Sequence, residues 1–562
     1  MYINGLKAYK FYFEHYSMVK AGIMGYGVCL PRERIKTELV VRERENRRPD
    51  LSDYIDKIKK GLLLNQKTIA GPCEDSTTLA TEAAENAFRM TGINPKGIGI
   101  EPFECSAVYV GSESKPYTVG TIAVEVASFL GIGPYTFVPD EEGACNAGMQ
   151  AVSDVKSKVL SGEINCGLAI GTDVAQAPLG DPLEYACGAG AGAFVIGRDN
   201  LIAELYDAVP FATNTKDFFR REGMLVPKHF GETTRDAYIF HTIGGIAGLL
   251  TKHHDMKLEN YDYITFHQPN GYMPLKTCRT ISGESKTPFD IDRMIEDEDL
   301  RERMKITKED IEKKVKPWLT VLKTGNTYAA STPIAVANIL DNASPGEDIL
   351  AVSYGSGAYV IATSIKVLDG IEEKRGIVPS VEDYIKRGVD ISLKTYSDHL
   401  KERFIRWTKN KHLVFPKIIG EVEPLNRDVK SIRIILCDDC KTIYYPAKEK
   451  CLSPKCRKEN LIERFIPELA RLKSYEKPLG KPFLTKSVYR VLKNGKVILL
   501  DCDLGDLQKG MELEYAIRRF DYQGKDGLIQ YGPGLRPIFR SRYTEKSKEV
   551  IPPIEVSIKA LA

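Results

Sequence analysis

Gly188-Ala-Gly-Ala-Gly-Ala-Phe-Val-Ile196 is a glycine-rich turn that runs into a short strand, and Gly355-Ser-Gly-Ala-Tyr-Val-Ile361 repeats the pattern. Small residues let the backbone turn and come close to its neighbours, and the aromatic and β-branched residues that follow favour a strand. Gly192 and Gly357 are 165 residues apart. That spacing suits two copies of one α/β unit; the competing reading is two unrelated hairpins of similar composition. Working outward, strand patterns lie at Ala107–Gly111, Cys166–Gly171, Ala193–Gly197, Tyr263–His267 and Ile349–Tyr354. Helical patterns lie between them at Thr77–Met90, Val119–Leu130, Met149–Leu160 and Pro333–Asp341. Such alternation predicts a layered α/β fold.

The chain has 562 residues, enough for three or four domain-sized units at roughly 100–200 residues each. Lys and Arg total 79 against 76 Asp and Glu. That balance argues against a protein devoted to nucleic-acid backbone or anionic membrane. The longest apolar run, Ile349 to Val367, is broken by Ser353, Gly355, Ser356, Gly357, Ser364 and Lys366, so it reads as two strands rather than a membrane span. The first 17 residues carry no apolar signal-peptide core and read as an extension. Without a secretion signal, the 12 cysteines point to a reducing compartment, and the expected location is cytoplasmic.

After Val367 the texture changes. Glu372 to Lys411 is charged, with Val381, Tyr384, Ile385, Val389, Leu393 and Tyr396 at helix-like spacing, as in a packing helix or a linker. Cys437-x-x-Cys440 and Cys451-x4-Cys456 follow. Four thiolates on two turns suit a tetrahedral zinc ion, and a set with no open position is structural. The last hundred residues hold short strand patterns at Val488–Leu492, Val497–Leu500, Glu512–Arg519 and Leu528–Tyr531, with glycine turns between, as in a small barrel.

Four residues of the α/β part draw chemical interest. Cys145, in Glu141-Glu-Gly-Ala-Cys-Asn-Ala-Gly-Met-Gln150, opens a helical pattern among small residues. A thiol there meets the positive end of the helix dipole, which favours thiolate. His267 closes the strand pattern Tyr263-Ile-Thr-Phe-His267, Asn326 lies in Thr324-Gly-Asn-Thr327, and Glu113 follows the strand that ends at Gly111. Residues just past strand ends converge on one crevice in α/β sheets. A thiol, an imidazole, an amide and a carboxyl there would make a nucleophile, an acid–base group, an orienting group and a proton acceptor. Each alone is also an ordinary structural residue.

Five motifs occur in a familiar order: Val110-Gly-Ser-Glu113-Ser-Lys-Pro116, Gly143-Ala-Cys145-Asn-Ala-Gly148, Phe266-His267-Gln-Pro-Asn-Gly271, Gly325-Asn326-Thr-Tyr328 and Ser353-Tyr-Gly-Ser-Gly357. Together they resemble the 3-hydroxy-3-methylglutaryl-CoA synthases, above all the archaeal type, over roughly residues 18–400. The four cysteines and the tail Leu528-Ile-Gln-Tyr-Gly-Pro-Gly-Leu-Arg-Pro537 resemble zinc-ribbon/OB-fold proteins that accompany such synthases and thiolases. The resemblance implies a duplicated five-layer α/β thiolase fold, followed by a zinc ribbon and an OB-type barrel. The implied layout is an extension at 1–17, half-domains at 18–197 and 198–367, and a helical linker at 368–430. A zinc ribbon at 431–460 and an OB-fold at 461–562 complete it.

The resemblance also implies roles. Cys145 would carry an acetyl group from acetyl-CoA, and Glu113 would remove a methyl proton. His267 would position acetoacetyl-CoA and help protonate the new alkoxide, while Asn326 would orient the acyl group. Lys276, Ser356, Gly355 and Asp173 would lie at the substrate and CoA site, with backbone N–H groups of Cys145 and around Ser356 facing the oxyanion. Glu113, and the absence of a cysteine in Ser353–Gly357, set the chain apart from thiolases. Two departures bear on the second substrate. Tyr272 stands where the family often has lysine, although Lys276 is retained, and Asp173-Val-Ala-Gln-Ala-Pro178 lacks a tyrosine found in some members. Another thiolase-superfamily acyltransferase therefore stays as an alternative. The implied partners are a second copy of the chain and a separate acetoacetyl-CoA thiolase. A reading of another class is a scaffold or single-strand nucleic-acid binder using Arg518, Arg519, Phe520, Tyr522, Arg536, Phe539, Arg540, Arg542 and Tyr543. Protein docking is the preferred use of that surface, and nucleic acid is not an expected partner.

Overall fold

Eight strands build the core of the computed structural model in two sets with the same pairing scheme. In the first set β2 (Ser106–Gly111) runs parallel to β3 (Gly167–Val174). β3 pairs antiparallel with β4 (Ala189–Gly197), and β4 with β1 (Gly22–Cys29). In the second, β6 (Tyr263–Phe266) runs parallel to β7 (Asp348–Gly355). β7 pairs antiparallel with β8 (Gly357–Val367), and β8 with β5 (Ala203–Thr215). A short pairing of β1 with β5 joins the sets. The structure describes residues 20–400 except 47, 72, 176, 178–179, 222–223, 225 and 286. Beyond residue 400 it describes nine strands between 433 and 559, with the side chains of Ala516, Arg518 and Arg519.

The helices lie where the apolar faces demand. α1 (Ser76–Thr91) buries Leu79, Ala80, Ala83, Ala84, Ala87 and Phe88 and covers β1, β3 and β4. α3 (Gly231–Lys252) covers β5, β7 and β8 in the second set. α2 (Ala147–Ser161) and α5 (Ser331–Leu340) touch each other between the sets, and α5 reaches strands of both. Helix, sheet, helix pair, sheet and helix make the five-layer arrangement of a thiolase-like fold.

The duplication is real, but the motif that suggested it does not mark equivalent positions. Gly192 pairs with Gly171 inside a strand, whereas Gly357 opens β8 at a tight hairpin whose first pair is Gly355 with Tyr359. Both stretches are small because both are tightly packed, for different reasons.

Residues 370–400, read as a packing helix or linker, fold onto the body in pieces. Helices Gly370–Lys374 and Val381–Lys386, a strand Val389–Asp390 paired with Glu33–Arg34, and a helix at 393–400 follow one another. Gly376, at φ +86°, and Pro379 interrupt any single helix. Beyond residue 400, Arg433–Cys437, Ile443–Tyr444 and Leu461–Phe465 form a three-stranded antiparallel sheet, and six further strands form a second sheet. Cys440, Cys451 and Cys456, the N-terminal extension, and the aromatic and basic tail residues after Arg519 lie outside the described residues or have undescribed side chains. Among the described residues no group of side chains could hold a metal ion, and no helix is long and apolar enough to cross a membrane.

Candidate active site

The site lies at the carboxyl ends of β2, β3, β6 and β7. Cys145 sits in a 3-10 turn, Ala144–Asn146, that feeds directly into α2. It is 7% exposed and shares a small buried cluster with Ala177, Cys187 and Tyr328. The turn is held against β7: Ser353 Oγ donates to Asn146 Oδ1, and a Cβ at Gly355 would collide with the Gly143 carbonyl. Gly355 is thus required by packing against the Cys145 turn. Ala144 takes φ +48°, in the left-handed region that costs a non-glycine residue about 1–2 kcal/mol.

Glu113 lies two residues beyond the end of β2, its carboxyl near enough to the Cys145 thiol for each to alter the other's proton affinity. Its Oε1 is buried and makes no hydrogen bond. Burial, then the charge of Asp173, push the Glu113 carboxyl up to about 8. Burial, then the charge of Glu113, push the Cys145 thiol well above its ordinary value. Desolvation and the acidic neighbours Glu113, Asp173 and Asp217 outweigh the helix dipole expected to favour thiolate. The resting pair is therefore a thiol beside a largely protonated acid, and the thiol must lose its proton as the reaction begins.

Asp173 is fully buried behind Glu113. Its Oδ1 accepts from the Glu113 and Ser114 amides, both at 2.8 Å, and from Ser114 Oγ and Ser112 Oγ at 2.6 and 3.0 Å. Its Oδ2 accepts from the Ala329 amide at 2.8 Å. All these partners are internal, so Asp173 ties the Glu113 loop to the turn before α5.

His267 follows β6 and is 1% exposed. Its carbonyl accepts from Tyr238 OH at 2.6 Å, and its ring stacks on Tyr354 at 6.5 Å and 24°. Nδ1 is buried without a hydrogen-bond partner, and burial lowers the imidazole to about 3, so the ring is neutral. Asn326 forms a backbone bridge with Cys187, and its Oδ1 accepts from the Tyr328 amide at 2.9 Å. Its side-chain NH2 is the group left to meet a ligand. Ser356 Oγ donates to Asp217 Oδ2 at 3.1 Å. Lys276 stands on α4 (Tyr272–Ile281) with its ammonium on Ser285 Oγ, at the edge of a separate cavity that Ser285 helps to line.

Curated relatives match this arrangement at the level of the chain, although no family model does. The hydroxymethylglutaryl-CoA synthase of Methanopyrus kandleri is 40% identical over 383 residues, 68% of this chain and 97% of the relative. That of Methanothermobacter thermautotrophicus is 41% identical over 376 residues, 66% and 96%. The chain belongs to the hydroxymethylglutaryl-CoA synthase family. With that family it stands among the acyl-CoA condensing enzymes. Solved synthases share the fold. One complexed with CoA has a TM-score of 0.55 at 24% identity and covers 67% of this chain and 90% of that one. Another, in complex with 3-hydroxy-3-methylglutaryl coenzyme A, has a TM-score of 0.56 at 20% identity, covering 68% and 92%.

Within this synthase fold, sequence reasoning passed over three residues. Asp217 is buried and gathers Tyr354 OH at 2.9 Å, Ser356 Oγ and the Gly357 amide at 3.2 Å. It thereby fixes the late glycine turn beside the Cys145 loop. Cys187 Sγ lies 3.5 Å from Tyr328 OH, so a second thiol stands in the Cys145 cluster. Tyr328 takes φ +47°, the second left-handed non-glycine residue at the site. Asp217 and Cys187 carry no local signal. Tyr328 lay inside a quoted motif, and its left-handed backbone is not a property a sequence displays.

Proposed function

We propose that this chain condenses acetyl-CoA with acetoacetyl-CoA and water to 3-hydroxy-3-methylglutaryl-CoA and CoA through an acetyl-Cys145 intermediate. The observation that carries the reading is the buried Glu113 carboxyl beside the Cys145 thiol, with Oε1 left without a hydrogen-bond partner. Cys145 sulfur attacks the thioester carbonyl of acetyl-CoA, and CoA leaves as the thiol after taking up the proton that Cys145 gives up. Ionised Glu113 then takes a proton from the acetyl methyl, and the resulting carbon attacks the ketone of acetoacetyl-CoA. A neutral His267 positions that ketone by hydrogen bonding, and the alkoxide takes up, with the help of His267, the proton that Glu113 removed, which returns Glu113 to its ionised form. Water cleaves the Cys145 thioester, leaving the product carboxyl and a free thiol. Asn326 offers its NH2 to the acyl oxygen, while Asp173 and Asp217 hold the two loops in place. Ser356, Gly355 and Lys276 complete the substrate side in this reading.

The remainder of the chain carries a second proposal. Cys437, Cys440, Cys451 and Cys456 hold a structural zinc ion in a ribbon, followed by an OB-type barrel. The donor set of four thiolates supports it, as does the place of Cys437 at the end of a strand paired with Leu461–Phe465. The zinc ion would cross-link two turns. The same reading has the chain form a homo-oligomer and bind a separate thiolase that supplies acetoacetyl-CoA; co-purification from native extract tests that partner. Arg518 is buried against carboxylates and Arg519 faces Asp75, which removes two cations from the nucleic-acid surface considered above.

Intact-protein mass spectrometry after incubation with acetyl-CoA alone tests the catalytic proposal. One acetyl group on the parent and none on Cys145→Ala is the expected result. No adduct on the parent would sink it.

A further inference from the structure

A strand far along the chain is built into the catalytic body. Arg518, in the strand Glu512–Phe520, is 1% exposed, with its guanidinium 3.6 Å from Glu74 Oε1 and 3.9 Å from Glu82 Oε2. Both carboxylates are buried, Glu74 just before α1 and Glu82 within it. Two like charges buried this close need a counter-ion, because burial strips their water and they repel each other. Arg518 supplies that charge, while Glu82 Oε1 also accepts from Tyr384 OH at 2.7 Å. The neighbouring Arg519 donates its backbone N–H to the Cys73 carbonyl at 2.9 Å and places its guanidinium 3.5 Å from Asp75 Oδ2.

These contacts lead to the active site within a few bonds. Asp75 caps α1 by accepting from the Thr78 amide at 3.0 Å. The next residue, Ser76, donates to the Ser114 carbonyl at 2.8 Å and lies 2.9 Å from Ser114 Oγ. Ser114 follows Glu113, and both amides are tied to Asp173. Disturbing the charge balance at Glu74, Asp75 and Glu82 therefore disturbs the support of the Glu113 loop.

We infer that the strand Glu512–Phe520 is a docked part of the catalytic body, and that Arg518 is a positioning residue acting through the N-terminus of α1 on the Glu113 loop. The inference rests on the role proposed for Glu113. The test uses the full chain with Arg518→Met. Acetylation of Cys145 by acetyl-CoA should stay within about threefold of the parent, while condensation falls roughly ten- to a hundredfold. Arg518→Lys, and Glu82→Gln added to Arg518→Met, should each recover part of the loss. A merely structural role predicts instead that acetylation and condensation fall together with stability and that neither change rescues them; that result, or unchanged condensation, overturns the inference.

A parent chain that takes no acetyl group would defeat the proposed function and leave the coupling to be read directly. Hydrogen exchange at the Glu113 and Ser114 amides should be faster in Arg518→Met than in the parent, and equal rates overturn the coupling. If Arg518→Met does not fold, Arg519→Ala, which removes the Asp75 ion pair, takes the same exchange measurement with the same two outcomes.

Discussion

The two turns that open the central helices share one backbone device and differ in their chemistry. Ala144-Cys145-Asn146 begins with a left-handed alanine, forms a 3-10 turn and feeds α2. Tyr328-Ala329-Ala330 begins with a left-handed tyrosine, forms a 3-10 turn and feeds α5. The middle residue is a thiol in the first turn and an alanine in the second. Asp173 ties the second turn to the Glu113 loop, taking the Ala329 amide with one oxygen and the loop amides with the other. In the proposed reaction the first half of the duplicated frame supplies Cys145 and Glu113, and the second supplies His267, Asn326 and the supporting turn. Strain of this kind persists where surrounding packing over-determines the backbone, as at functional sites.

The sharpest way to break the comparison is to move the thiol. Cys145→Ala should lose turnover by on the order of 10⁴-fold or more. Adding Ala329→Cys should restore neither turnover nor an acetyl adduct, because the carboxyl at that turn, Asp173, is engaged by internal hydrogen bonds. An adduct on the relocated thiol would show the two turns to be chemically equivalent.

The next largest effect separates the two steps. Glu113→Gln should still take an acetyl group on Cys145, yet lose condensation by roughly 10²–10⁴-fold. In the parent, kcat/KM for condensation should rise with pH towards the Glu113 value of about 8, since only the ionised carboxyl can take the methyl proton. A profile flat from pH 6 to 9 would remove Glu113 from that role. Stability should move the other way. Folded Glu113 keeps its proton to about pH 8, whereas the unfolded chain releases it near 4.5, so stability falls as pH rises across that window. Glu113→Gln should therefore melt above the parent at pH 8.5, with the gap closing towards pH 4.5.

Asp173→Asn tests the strut between the second turn and the Glu113 loop. An amide keeps one acceptor oxygen and turns its NH2 on either the loop donors or the Ala329 N–H, which should cost about 1–3 kcal/mol in thermal or denaturant melts. Condensation should fall more than acetylation, because it is the Glu113 loop that loosens. The smallest effect is Ala144→Gly, which relieves the left-handed strain and should change stability by no more than about 1 kcal/mol, upwards. A clear loss would mean that the Ala144 side chain packs in a way the strain argument omits.

Much of this was legible in the chain, and for identifiable reasons. Ala107–Gly111 and Ile349–Tyr354 were readable as strands because central strands are continuous apolar runs, and they appear as Ser106–Gly111 and Asp348–Gly355. Thr77–Met90 was readable because its apolar residues recur at helical spacing, and it appears as Ser76–Thr91. Residues 372–400 misled because their spacing was helical while Gly376 and Pro379 broke the chain into pieces.

For the site, the ordered motifs nominated Cys145, Glu113, His267 and Asn326, since each of these residues alone is also an ordinary structural one. Proton affinities were another matter. They depend on how much water each group loses and which charges lie near it, and those arrive from distant segments. Burial turned the expected thiolate into a thiol, raised Glu113 and held His267 neutral. Asp217 and Arg518 were invisible for the same reason. A charged residue in a polar stretch reads as surface until folding sets it against Tyr354 and Ser356, or against Glu74 and Glu82. Local pattern carries the order of strands and helices, while long-range packing sets the dielectric and the counter-charges, and with them the chemistry.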